Sequence, residues 1–109
     1  DDHALVLAAD AQARERLASS YALLDEHMAG RSWATGEAFT MADCAAAPAL
    51  FYAVSYLPIG AVQTHLNAYF ERLMARPSVA RTIEAARPWF KFYPGRSGLA
   101  RRFFDPEAA

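Results

Sequence analysis

Apolar residues recur at helical spacing through most of this chain. Leu17, Tyr21, Leu24 and Met28 share one face of a segment running from about Ala4 to Ala29, the period of an amphipathic α-helix. Asp10 and Arg14, four apart with the acid first, can pair on its solvent side. Gly30 follows where a helix commonly ends in a left-handed glycine. Residues 30–39 mix two glycines with polar side chains and predict a loop. Trp33 and Phe39 are expected to turn inward and pin it.

The next helix has the clearest start signal. Thr40 is a preferred N-cap, and Asp43, three residues on, can reach back to the backbone N–H of the cap, which makes a capping box with aspartate in place of glutamate. Phe39 and Cys44 occupy the two positions of a hydrophobic staple, where Cys44 is expected to be a buried, inert thiol. From Cys44 to Phe70 no side chain carries a charge. A membrane span of about 20 apolar residues and the central helix of a soluble bundle both fit such a stretch. Pro48, the break at Leu57-Pro58-Ile59-Gly60, the abundance of alanine and the lack of a basic flank favour the bundle. The central helix is therefore expected to be buried and to kink at Pro48.

A third helix is predicted over Val62 to Ala75, with Leu66, Tyr69, Phe70, Leu73 and Met74 as its apolar stripe. Arg76-Pro77 separates it from a short fourth helix that ends before Pro88 and buries Val79 and Ile83. The tail then crowds Trp89, Phe90, Phe92 and Tyr93 together, turns at Pro94-Gly95 and Ser97-Gly98, and ends in loose residues. The fold class that follows is all-α, a bundle of about four to five helices over residues 1–93, with 94–109 as a C-terminal tail.

Charge adds an asymmetry without a net field. The formal net charge is −1, which attracts neither nucleic acid nor an anionic membrane. Residues 1–43 hold eight acids against three arginines, whereas residues 71–109 hold four acids against eight bases. Oppositely charged solvated faces account for this most simply. The single cysteine excludes an internal disulfide and points to a reducing compartment. The chain opens on Asp1-Asp2-His3 without methionine or a leader, so it is expected to be cut from a longer, cytoplasmic protein.

Candidate chemistry is sparse. His3, His27 and His65 are far apart, and Cys44 has no partner at metal-ligand spacing, so no metal site is expected. Neither a phosphate-cradling loop nor a nucleophile elbow is present. Tyr52 and Tyr56 could place a hydroxyl in a pocket or simply pack. The tail has three readings: Trp89, Phe90, Phe92 and Tyr93 as the wall of an apolar cleft, the same rings with Lys91, Arg96, Arg101 and Arg102 as a single-strand binder, or packing onto the bundle.

Two stretches carry a family resemblance. Trp33-Ala-Thr-Gly-Glu-Ala-Phe-Thr-Met-Ala-Asp-Cys, followed by Ala45-Ala-Ala-Pro-Ala-Leu, resembles the loop and Thr/Ser-x-x-Asp start of the central helix of glutathione transferases. Ala68-Tyr-Phe-Glu-Arg-Leu-Met-Ala-Arg-Pro-Ser-Val resembles the next signature of that family, where a helix ends in Arg-Pro. The resemblance spans about residues 5 to 93. It implies the C-terminal domain of a cytosolic glutathione S-transferase, with Thr40 and Asp43 as its structural capping box. The thiolate-activating residue and cis-proline would lie in an N-terminal thioredoxin-like domain, the implied partner. Glutathione would be co-substrate of the parent rather than a ligand of this chain. A homodimer is also implied, as is a detoxification role in which Trp89, Phe90, Phe92 and Tyr93 contact an apolar electrophile. The alternative is a non-catalytic protein–protein interaction domain of the same fold.

Overall fold

A computed structural model describes residues 1–105. The chain folds as helices α1 (Asp2–Met28), α2 (Met41–Tyr56), α3 (Thr64–Ala75), α4 (Pro77–Ala86) and the short α5 (Arg101–Phe104), with 3-10 segments at Arg87–Phe92 and Arg96–Gly98. No strand occurs among the described residues. The expected loose chain end falls on residues 106–109, outside the described residues.

Local chemistry sets the helix ends. The Asp1 carboxylate accepts the Ala4 N–H at 2.7 Å and caps α1. Gly30 closes that helix at φ +78°, a conformation that costs glycine little. The first turn of α3 is capped from another element. Asp25 of α1 accepts the Leu66 N–H at 2.8 Å, satisfying one of the donors every helix start leaves over. Pro77 opens α4, where its missing N–H costs nothing.

The core differs from expectation in which helix it surrounds. α3 packs against α1, α2 and α4 and buries Leu66, Tyr69, Phe70, Leu73 and Met74. The alanine-rich α2, expected at the centre, buries only one face, through Asp43, Ala47, Leu50 and Phe51. Its other side is exposed. The reason is side-chain size: alanines leave little surface to bury, whereas the large residues of α3 fill the space between its neighbours. α2 runs without interruption through the exposed Pro48. Cys44, whose carbonyl proline deprives of its helical partner, is likewise an exposed residue. Among the described residues no helix is long and apolar enough to cross a membrane.

The expected Asp10–Arg14 pair forms at 3.0 Å. It also ties α1 to the end of α2: the Tyr56 hydroxyl donates to the Asp10 carboxylate, and Arg14 donates to the Tyr56 carbonyl at 3.1 Å. Nearby the buried Tyr21 hydroxyl donates to the Leu57 carbonyl at 2.8 Å, and burial pushes its pKa up to about 12.

The tail joins the core. Leu99 and Phe103 are buried, and the Phe103 ring meets Phe51 and Phe70 edge-on at 5.0 and 6.4 Å. Arg87 donates to the Phe103 carbonyl at 3.0 Å, and Arg102 forks onto Glu71 at 2.7 and 2.8 Å. That last pair is about half exposed, so it guides the docking more than it stabilises it.

Candidate functional site

Asp43 is fully buried at the third position of α2, where a carboxylate suits the helix dipole. One of its oxygens accepts the Ala34 N–H at 2.8 Å and the Tyr69 hydroxyl at 2.6 Å. The other accepts the Thr40 N–H at 2.9 Å. One side chain thus holds the 29–40 loop, the start of α2 and the middle of α3 in register. Burial pushes its pKa up, but the donors outweigh burial and hold the carboxyl below its ordinary value. Burial, reinforced by that carboxylate, drives the Tyr69 phenol well above its usual range.

The Thr40 half of the capping box is the weaker one. Its side chain faces the Asp43 N–H to complete the box, but that N–H also reaches the Thr40 carbonyl at 3.0 Å. The hydroxyl lies 3.2 Å from that of Thr35 and 3.5 Å from the Asp43 carboxylate. Thr40→Ala is accordingly expected to cost no more than about 1 kcal/mol in denaturant unfolding, far less than any change at Asp43.

The loop is pinned as expected. Trp33 pairs its backbone with Gly36, and its ring meets Phe39 edge-on at 5.1 Å and Tyr69 at 6.4 Å. Arg76 lays its guanidinium over Phe39 at 3.5 Å, an added attraction between the cation and the ring face.

The four tail aromatics do not converge on one wall. Phe90 is buried and stacks at a tilt on Phe51 at 5.6 Å. Tyr93 meets Tyr52 edge-on at 5.0 Å and shares a 2.6 Å hydrogen bond with the Ser55 hydroxyl. Trp89 and Phe92 point outward, 67% and 68% exposed, with their rings 6.2 Å apart. A 3-10 segment explains the split: three residues per turn place Trp89 and Phe92 on one side and Phe90 on another. Phe90 is the one of the four that lines the cleft between α2 and α4.

That cleft, about 350 Å³, lies between α2 and α4. Ala47, Pro48 and Phe51 form one side, Val79 and Ile83 the other, and Phe90 one end. Its polar groups are few: Cys44, Ser78, Thr82 and Tyr52, of which Thr82 already donates to the Ser78 carbonyl at 2.8 Å. Cys44 is exposed here, correcting the expected buried thiol. Phe39 and Cys44 both border this cleft, and no side chain of the described residues fills it. An apolar concavity with a few hydroxyls suits a small aromatic or aliphatic molecule. Val79 and Ile83 of α4 line the cleft, although their spacing predicts only a buried side against the bundle. Spacing along one helix cannot tell a core wall from a cleft wall.

Among the described residues no group of three histidine, cysteine or acidic side chains could hold a metal ion. A family model described as Glutathione S-transferase, C-terminal domain, matches residues 8–94. No curated protein and no solved structure matches the chain.

Proposed function

This chain belongs to the glutathione S-transferase C-terminal-domain family, and on that premise we propose that it is the electrophile-side domain of a glutathione-conjugating parent. The observation that supports this reading is the apolar α2–α4 cleft, closed at one end by Phe90. The cleft would hold the apolar part of an electrophile. An N-terminal thioredoxin-like domain of the parent would bind glutathione and activate its thiol. The chain's own part is to bind and orient: Val79, Ile83, Phe51 and Phe90 exclude water, and proximity to the thiolate does the rest. The role we assign the parent is cytoplasmic detoxification of apolar electrophiles, in a homodimer.

Two measurements test this division of labour. The isolated chain, mixed with glutathione and 1-chloro-2,4-dinitrobenzene, is expected to show no rate above the uncatalysed reaction. A clear rate would overturn the assignment of thiol activation to another domain. In the full parent, Val79→Trp is expected to fill the cleft and raise KM for the electrophile about tenfold, leaving KM for glutathione unchanged. Unchanged KM values for both substrates would place the electrophile elsewhere.

A second reading, a docking domain without catalysis, is favoured by the outward Trp89–Phe92 pair beside Lys91. Exposed aromatics of this kind anchor protein interfaces. It prevails if Trp89→Ala weakens a salt-sensitive protein complex while the parent shows no conjugation at all.

A further inference from the structure

Between Glu84 and Asp105 the chain carries five cations and no acid. Two of them are paired, Arg101 with Asp105 at 3.0 Å and Arg102 with Glu71 at 2.7 Å. Among the described residues no carboxylate pairs with the other three, Arg87, Lys91 and Arg96. All three line one hollow of about 390 Å³.

Their donors are only partly used. Arg87 gives its Nε–H to the Phe103 carbonyl at 3.0 Å, and Arg96 gives one terminal nitrogen to the Tyr93 carbonyl at 3.3 Å. Those bonds fix the two guanidinium groups, yet each keeps further N–H groups with no acceptor among the described residues. The Lys91 ammonium lies 5.3 Å from the Phe92 ring. A carbonyl contact leaves a cation's charge standing, and like charges around one hollow repel. Opposite them the lining is apolar: Phe90 and Leu99 are buried, and Phe104 keeps 45% of its surface open. Phe90 is the one lining residue shared with the α2–α4 cleft, so this is a separate hollow.

A concavity of this size suits a small molecule. An anion offsets the repulsion among the cations, and a dianion does so more than a single charge. Guanidinium groups present N–H forks that match phosphate oxygens. The apolar side calls for a body of matching character. We propose that this hollow binds a phosphate monoester on a small aromatic or aliphatic body. Arg87, Lys91 and Arg96 surround the phosphate, and Phe90, Leu99 and Phe104 receive the body. The site stands whether or not the parent conjugates glutathione.

A 1H–15N NMR titration of the 109-residue chain with phenyl phosphate, at about pH 7.5 where the ester is largely dianionic, tests it. Saturable shifts are expected at residues 87–104. Inorganic phosphate, the anion without the ring, and phenol, the ring without the anion, are each expected to bind there at least about tenfold more weakly. The double variant Lys91→Gln, Arg96→Gln changes two exposed side chains and should weaken phenyl phosphate by at least about tenfold. Arg81→Gln, exposed on α4 outside the hollow, should leave it unchanged. No saturation at residues 87–104 overturns the proposal, and so does a double variant that binds as the wild type does. An equal loss with Arg81→Gln would reduce the effect to general charge and overturn the site. Phosphate as tight as phenyl phosphate overturns the apolar half, and phenol as tight overturns the role of the cations.

Discussion

Asp43→Ala is expected to destabilise this domain by about 3–5 kcal/mol, enough to leave much of it unfolded at 37 °C. The carboxylate is fully buried and accepts from Ala34, Thr40 and Tyr69. Alanine leaves the buried Tyr69 hydroxyl and the part-buried Ala34 and Thr40 N–H groups without an acceptor, and a fully buried group of this kind costs about 1–3 kcal/mol. For a domain of this size the loss corresponds to a fall in Tm of roughly 15–30 °C. Asp43→Asn keeps the shape but turns one acceptor into a donor facing other donors, so about 2–3 kcal/mol is expected. The two variants together separate lost acceptors from lost volume.

The same residue sets an acid limit. Its folded pKa lies below the ordinary 3.8, so the folded state holds fewer protons there than the unfolded one. The stability this contributes is fully present above the unfolded pKa and is lost as pH falls through the folded value. Glu71, lowered by the hydrogen bond from Arg102, adds a smaller term of the same sign. Denaturant unfolding of the wild-type chain should therefore weaken progressively below about pH 4. The Asp43→Asn variant should show a shallower decline, and an identical slope would mean that the carboxylate is not the group being protonated.

Gly98→Ala is the second substitution expected to act strongly, and it acts through space rather than backbone angle. A Cβ there would stand 1.8 Å from the Ser55 carbonyl oxygen of α2, a backbone atom that cannot swing aside. The chain must either strain in place or release the tail. Release exposes Leu99 and Phe103, each worth about 1.5–3 kcal/mol when buried, and returns conformational entropy to the freed residues. A net loss of about 2–3 kcal/mol is expected, with faster tryptic cleavage at Arg96, Arg101 and Arg102 while the rest of the bundle stays protected. Cleavage at the wild-type rate would show that the tail accommodates the methyl group without leaving α2.

Much of the fold is legible along the chain because helices are local objects. The Thr40–Asp43 signal places the start of α2, Arg76-Pro77 divides α3 from α4, and Gly30 ends α1. Each depends on residues within a few positions of one another. The apolar stripe of α3 likewise names the core residues that are buried. Periodicity, however, reports which face is apolar and not what covers it. The uncharged run of α2 therefore read as a central helix, although its alanines leave one side open. Phe90 and Trp89 are neighbours in sequence, and only the 3-10 turn sends one into the core and the other into solvent.

The capping contact from Asp25 to Leu66 and the third donor to Asp43, Tyr69, join residues 41 and 26 positions apart. The α2–α4 cleft needs two helices set at a particular separation, and Gly98 matters only because Ser55 lies against it. Sequence alone determined the four main helices, several of their ends and the membership of the family, since these rest on local hydrogen bonding, apolar period and ordered motifs. Tertiary structure decided which apolar faces meet and which stay bare, because that depends on side-chain volumes matched across the whole bundle.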